Sequence, residues 1–274
     1  MKIKQILKED NKYKEEKKLA LEQVLNISKA EILLNQEKTI NRKEYKKYKK
    51  IMKQLLKGIP IQYITKKAYF YGRDYYVNKN VLIPRPETET LVKDTLDLIN
   101  KSHKTKKLKI LDIGTGSGII AITLYKERKN LSIIATDISK KALKIAKKNQ
   151  KKQKTHVKFI HTNLYQKIED KFDVIISNPP YIKENSQEIE KQVLENEPHI
   201  ALFGGEDGLD YYKKILKNIK QITNTYHIIA FEIGENQSKA IKKLLQEQFP
   251  GDNIVIKKDY NGFDRYIYSI NTKI

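Results

Sequence analysis

The apolar run Val174-Ile175-Ile176-Ser177 ends in Asn178-Pro179-Pro180-Tyr181. These residue types suit chemistry at a planar amino or amide nitrogen. Such a nitrogen is a poor nucleophile because its lone pair is delocalised. The Asn178 side-chain oxygen can accept one of its N–H groups and the Pro179 carbonyl the other. Holding both hydrogens aims the nitrogen and favours charge developing on it. The prolines fix φ and remove N–H donors, leaving carbonyls free to accept. Tyr181 can stack on a planar target and help exclude water. Asn178, Pro179 and Tyr181 are the candidate catalytic residues, and Asn178, Pro179, Pro180 and Tyr181 the candidate substrate-binding set. The plain alternative is a strand-ending turn, because Asn-Pro is common in turns.

A second segment supplies the electrophile. Ile110-Leu111-Asp112-Ile113 runs into Gly114-Thr115-Gly116-Ser117-Gly118, and a helix starts at Ile119. A glycine-rich turn between strand and helix lets backbone approach a bound nucleoside. The N–H groups at the helix start favour a carboxylate or phosphate. Asp137, at the end of the next strand, can accept both hydroxyl protons of a ribose. A dinucleotide site would space its glycines G-x-G-x-x-G. The spacing here, with Asp112 just before, resembles the Rossmann-like S-adenosylmethionine-dependent methyltransferases. That methyl donor is a sulfonium cation and needs neither a metal nor a covalent intermediate.

The elements that must position these segments divide the chain. Residues 1 to about 65 carry apolar positions at helical spacing, such as Tyr45, Tyr48, Ile51 and Leu55, and lack glycine until Gly58. This predicts a small helical domain. A hairpin is expected over Ala68–Tyr71 and Tyr75–Val77, with its turn at Gly72-Arg73-Asp74. Beyond it, helices are expected over 88–101, 119–128, 140–151, 209–222 and 237–249. Strands are expected over 109–113, 131–136, 157–161, 172–177, 227–232, 253–258 and 265–270. Such alternation implies an α/β fold with a mostly parallel sheet covered on both faces.

Composition narrows the classes. Hydrophobic residues make up 39% and the net charge is +22. Fifty of the 55 basic residues are lysine. They are spread through Lys46 to Lys50, Lys104 to Lys109, Lys140 to Lys154 and Lys213 to Lys220, on what read as solvated helix faces. Bidentate phosphate recognition favours arginine, so nucleic acid is not required as a partner. There is no cysteine, which excludes disulfides and thiolate chemistry. The five histidines lack ligand spacing, so no metal is assigned. No apolar run approaches the ~18 residues of a membrane span, and the N-terminus lacks a signal-like stretch. A cytoplasmic monomer is expected.

Taken together the motifs resemble the HemK/PrmC family, the peptide chain release factor N5-glutamine methyltransferases. The matching segments are Ile83-Pro84-Arg85-Pro86-Glu87-Thr88-Glu89, Gly114 to Gly118, Ser177 to Ile182, Glu197-Pro198, Ala201 to Leu209, Glu232-Ile233-Gly234-Glu235, and Asp259-Tyr260 with Gly262 and Asp264-Arg265. The resemblance implies a helical N-terminal substrate-recognition domain with a hairpin linker, residues 1–80. It implies a Rossmann-like class I methyltransferase domain with a seven-stranded sheet, residues 81–274. The implied substrate is the glutamine of the Gly-Gly-Gln motif in release factors. The implied cofactor-binding positions are Gly114, Thr115, Gly116, Ser117, Gly118, Asp137, Leu164 and Asn178. The family often carries an acidic residue and an aromatic near the adenine. Asn163-Leu164 stands there in this chain, which implies apolar packing by Leu164. Three rivals share parts of this pattern: a nucleic-acid base amino-methyltransferase, a ribosomal-protein glutamine methyltransferase and a non-catalytic binding protein.

Overall fold

The computed structural model describes residues 1–8, 11–102, 107–187 and 189–272. Lys104, Lys106 and His103 lie outside the described residues. The chain opens with helices α1 (Ile3–Lys8), α2 (Lys14–Leu25), α3 (Lys29–Leu34), α4 (Arg42–Leu55) and α5 (Ile61–Thr65). Reciprocal capping boxes start α3, with Ser28 and Glu31, and α4, with Asn41 and Glu44. Each satisfies N–H groups that a first helical turn leaves unpaired. Ile3, Ile6, Leu21, Ile32 and Tyr48 form the core of this part. Lys43, Lys46, Lys47, Lys49 and Lys50 of α4 are exposed, as solvated-face lysines must be.

Strands β1 (Ala68–Phe70) and β2 (Arg73–Tyr75) form the hairpin, and Phe70 pairs with Arg73. The turn is therefore Tyr71-Gly72, both at positive φ (49° and 74°), the two-residue form that matches strand twist. This corrects the expected turn at Gly72-Arg73-Asp74 and moves the second arm two residues earlier than Tyr75–Val77. The reason is a contact with the helix over Glu87–Ser102. Tyr71 takes the left-handed conformation while its N–H donates to Glu89 Oε1 at 2.9 Å. Phe70 and Tyr75 pack into the main sheet core, and Val77, Val81 and Ile83 lie with Ala142 and Ile145.

The remainder runs α6 (Glu87–Ser102), β3 (Lys109–Ile113), α7 (Ile119–Glu127), β4 (Ser132–Asp137), α8 (Lys140–Gln153), β5 (Lys158–His161), β6 (Phe172–Ser177), α9 (Lys191–Asn196), α10 (Asp210–Leu216), β7 (Thr223–Glu232), α11 (Ser238–Gln248), β8 (Asn253–Lys258) and β9 (Asp264–Asn271). Seven strands make one sheet in the order β5-β4-β3-β6-β7-β9-β8, antiparallel only where β9 pairs with β7 and β8. Alternate residues serve opposite cores. Val174 and Ile176 face one cluster, while Ile175 faces the other. A strand buried on both faces reads as an unbroken apolar run, which is why β6 was conspicuous. The chain leaves β3 through β4 and β5, then returns to β6 on the other side of β3. Ligands bind outside the carboxyl ends of strands at such a reversal.

The helix expected over 209–222 is two pieces. The α-helix stops at Leu216, and a 3-10 turn covers Ile219–Ile222. Both Ile219 and Ile222 are buried, so the apolar spacing persists across the break. Strand β7 starts at Thr223, four residues earlier than expected.

Candidate active site

The carboxyl ends of β3, β4, β6 and β7 are level. Ile113 pairs with Thr136 and with Ser177, and Ser177 pairs with Phe231. The glycine loop grows from β3. Gly114 and Thr115 N–H both donate to the Thr136 carbonyl at 2.9 Å. Gly116 N–H donates to Asp137 Oδ2 at 2.8 Å, and Ser139 N–H donates to Asp137 Oδ1 at 2.7 Å. Asp137 is thereby locked while each oxygen keeps a lone pair. Burial pushes its carboxyl above the usual range. Beneath the loop, Thr115 Oγ1 donates to the buried Asp112 Oδ2 at 2.6 Å, and burial raises Asp112 to about 7. Gly114 and Gly116 hold φ of 73° and 56° with open space where a Cβ would stand. Gly118 is different. A Cβ there would meet Ala146 Cβ at 3.0 Å, so it lets α7 lie close against α8.

These groups border a cavity with about 1090 Å³ of empty volume, its mouth included. Gly114, Thr115, Gly116, Ser117, Asp137, Leu164 and Asn178 all line it, whereas Gly118 does not. Leu164 enters with a φ of 50°. A second cavity of about 820 Å³ lies on the far side of Asn178 and Pro179. Pro180 borders only the first and Tyr181 only the second, together with Ile182, Leu202 and Glu232. Asn178 and Pro179 border both.

Three residues without an assigned role from sequence hold Asn178 and Tyr181. Asn178 Nδ2 donates to Thr88 Oγ1 at 3.1 Å, and Thr88 Oγ1 donates to Glu232 Oε2 at 2.7 Å. The Tyr181 hydroxyl donates to Glu232 Oε1 at 3.4 Å. Glu232 is 1% exposed. Burial lifts it to about 7 against the opposing hydrogen bond from Thr88 and the charge of Arg265. Burial and the Glu232 charge push the Tyr181 hydroxyl up as well. Gln237 Nε2 donates to the Tyr181 carbonyl at 2.9 Å and to the Gly208 carbonyl at 3.2 Å. The 204–208 loop is thus the backing of Asn178 to Tyr181. Ile182 N–H donates to the Leu202 carbonyl and Gly204 N–H to the Ile182 carbonyl.

The segment before α6 is held by one buried carboxylate. Glu197 Oε2 accepts the Ile83 N–H at 2.9 Å, and Oε1 accepts Arg85 Nη2 at 2.5 Å. Arg85 and Leu82 consequently border both cavities, and Pro84 and Thr88 line the first. The only signal for these partners in the sequence was that their segments matched a family pattern.

Known proteins agree with this architecture. The PrmC N-terminal domain model matches residues 1–65, and the methyltransferase small domain model matches residues 91–206. The release factor glutamine methyltransferase of Bacillus cereus is 39% identical, covering 96% of this chain and 94% of that one. This chain belongs to the release factor glutamine methyltransferase family. The Clostridium acetobutylicum member is 36% identical, covering 97% of this chain and 94% of that one. A methyltransferase of Pyrococcus furiosus, solved by crystallography, shares the fold with a TM-score of 0.56 at 17% identity, over 81% of this chain and 98% of that one. Family membership brings S-adenosylmethionine as methyl donor, and it sets aside the base-methylating and non-catalytic readings. Among the described residues no helix is long and apolar enough to cross a membrane.

Proposed function

We propose that this protein transfers a methyl group from S-adenosyl-L-methionine to the side-chain amide nitrogen of the glutamine in the Gly-Gly-Gln motif of peptide chain release factors. One observation carries the reading: Asn178 and Pro179 are the shared wall of two cavities, one lined by the glycine loop and Asp137, the other by Tyr181. A transfer enzyme needs donor and acceptor to meet at such a wall.

The first cavity fits the donor. Gly114 and Gly116 leave room for a ligand against bare backbone. Asp137 keeps acceptor capacity for a ribose, and Leu164 offers an apolar face for the base. Thr115, Ser117 and Asn178 complete its walls, and Gly118 contributes through packing. The donor supplies an electrophilic methyl group on sulfonium sulfur. The chain orients the acceptor. Asn178 Oδ1 accepts one amide N–H and the Pro179 carbonyl the other, leaving the nitrogen lone pair aimed across the wall. Tyr181 shapes the acceptor side, while Pro180, expected there from sequence, borders only the donor cavity and acts by fixing the backbone between Pro179 and Tyr181. The nitrogen gains the methyl carbon as the bond from that carbon to sulfur breaks, leaving a neutral thioether, and the nitrogen releases one proton.

A protein substrate needs a path to the wall. Arg85 also borders a wider cleft of about 1770 Å³ between Leu55, Leu56, Gly58 and Pro60 on one side and Glu190 to Glu195 on the other. This supports a division of labour in which residues 1–80 recognise the release factor and 81–274 perform transfer. The reading includes action as a monomer, and the substrate implies a cytoplasmic site of action.

The deciding experiment incubates purified protein with methyl-labelled S-adenosylmethionine and, in parallel, release factor, ribosomes, tRNA and DNA. The expected label sits on the release factor, at the Gly-Gly-Gln glutamine by mass spectrometry. Label on ribosomal protein or nucleic acid with an unlabelled release factor overturns the proposal.

A further inference from the structure

A side-chain amide has two ends of nearly equal shape and opposite hydrogen-bonding character. Asn178 serves an amide acceptor only when its oxygen, not its NH2, faces the target nitrogen. Something must choose between the two orientations, and the surroundings of Asn178 contain a device that does. Thr88 has a single hydroxyl proton. It gives that proton to Glu232 Oε2 at 2.7 Å, so toward Asn178 it offers only a lone pair, at 3.1 Å. An acceptor at that position compels the Asn178 NH2 to turn to Thr88. The Asn178 oxygen is then left to face away, into the cavities.

We infer that Thr88 and Glu232 are positioning residues that set which end of the Asn178 amide meets the target glutamine, and that a proton on Glu232 reverses the setting. The inference rests on the function proposed above. A protonated Glu232 can donate to Thr88. Thr88 then donates to Asn178 Oδ1, the amide turns over, and its NH2 faces the NH2 of the substrate. Two donors face each other and the nitrogen is no longer held.

The surroundings allow both states. Glu232 is buried at the end of β7. From α6 it meets Thr88 and the charge of Glu87, from β9 the half-buried Arg265, and from the Asn-Pro-Pro-Tyr loop the Tyr181 hydroxyl. Tyr266 of β9 and Tyr212 of α10 also feel its charge, and the Tyr212 hydroxyl donates to its backbone carbonyl at 2.7 Å. Arg265 favours the carboxylate, and burial and Glu87 favour the acid. The balance leaves Glu232 titrating near neutrality, at about 7.

The test compares wild type with Thr88→Val, Thr88→Ser and Glu232→Gln, using release factor as substrate between pH 6 and 8. Wild-type turnover is expected to fall below a midpoint near 7. Thr88→Val keeps the shape and loses the hydroxyl. It should lower kcat about tenfold, less than the ~10²–10³ of losing a direct transition-state partner, with donor affinity by calorimetry unchanged. Thr88→Ser should restore most of that loss. Glu232→Gln should flatten the pH profile. In cofactor-free protein, the Asn178 side-chain NH2 resonances should shift with the same midpoint and stay fixed in Glu232→Gln. A Thr88→Val enzyme as fast as wild type overturns the inference. So does an acid limb that persists in Glu232→Gln, or a Thr88→Val loss explained by weaker donor binding. Wild type that never labels release factor would instead overturn the function on which the inference rests.

Discussion

Asn149 fastens the hairpin to the glycine loop: its Nδ2 donates to the Ser117 carbonyl at 2.9 Å and to the Tyr76 carbonyl at 3.0 Å, while its Oδ1 accepts the Tyr76 N–H at 2.6 Å. The side chain is fully buried on α8. One amide therefore ties the segment leading from the helical part to the loop that borders the donor cavity. Lys148 reinforces the contact by resting over the Tyr76 ring at 3.3 Å.

Replacing Asn149 with alanine takes this partner from the buried Ser117 carbonyl and from the part-buried N–H and carbonyl of Tyr76. A buried group left unpaired costs about 1–3 kcal/mol and the part-buried Tyr76 groups can recover water, so the variant should lose about 2–3 kcal/mol in urea unfolding. It should also bind S-adenosylmethionine several-fold more weakly by calorimetry, because Ser117 loses its anchor. A variant as stable as wild type would show that the hairpin is held without this amide.

Asn178→Ala removes the acceptor for one target N–H and leaves the glycine loop and Asp137 untouched. Turnover should fall by about 10²-fold or more, while donor affinity stays within a few-fold of wild type. Single-turnover assays and calorimetry separate the two. Equal losses in both would mean that Asn178 serves the donor rather than the acceptor.

The contiguous parts of the site were legible because their signal is local. The loop from Gly114 to Gly118 and the stretch from Asn178 to Tyr181 each carry chemistry within five residues, next to apolar strands. The supports were not legible. Thr88 and Glu232 lie 144 positions apart and meet through a hydrogen bond of 2.7 Å; neither a threonine nor a carboxylate by itself signals that contact. Glu197 reaches Ile83 across 114 positions in the same way. In the fold, the sheet followed from strand and helix alternation. The hairpin turn differs from the expected one because Tyr71 adopts a conformation that its residue type disguises, with φ at 49°. The break in the helix expected over 209–222 is hidden in the sequence because a 3-10 turn keeps Ile219 and Ile222 on one face, as a helix would.

Gly204 predicts a selective defect. A Cβ on Gly204 would meet the Pro180 carbonyl oxygen at 2.6 Å and the Gly208 carbonyl oxygen at 2.8 Å. These are backbone atoms, so the Asn178-to-Tyr181 loop itself must shift. A misplacement of about 1 Å costs on the order of 10²-fold in rate. Gly204→Ala should therefore lose turnover by roughly that factor and keep most donor affinity, since the clash falls on Pro180 and Gly208 and not on the glycine loop after β3. Full activity would mean that the 204–208 loop yields without moving the wall.

Stability should fall as pH rises toward neutrality. Burial raises Glu232 from an ordinary 4.5 to about 7, and Asp112 from 3.8 to about 7. Between those limits the folded protein retains protons that the unfolded chain has released. By linkage, the free energy of unfolding then decreases with pH, and the loss levels off above about 7. Below pH 4 both states are protonated and the full contribution is present. Glu232→Gln and Asp112→Asn cannot ionise, so each should gain stability over wild type as pH rises. The gain should be small at pH 5 and reach on the order of 1–3 kcal/mol at pH 8. Asp112→Asn retains an oxygen for the Thr115 hydroxyl, which isolates the charge from the hydrogen bond. Urea unfolding of cofactor-free protein at pH 5, 6, 7 and 8 measures the difference. A gap that stays constant across this range would mean that neither carboxyl titrates within it, and a gap that shrinks with rising pH would mean that the buried carboxylates are stabilised by their partners beyond the cost of burial.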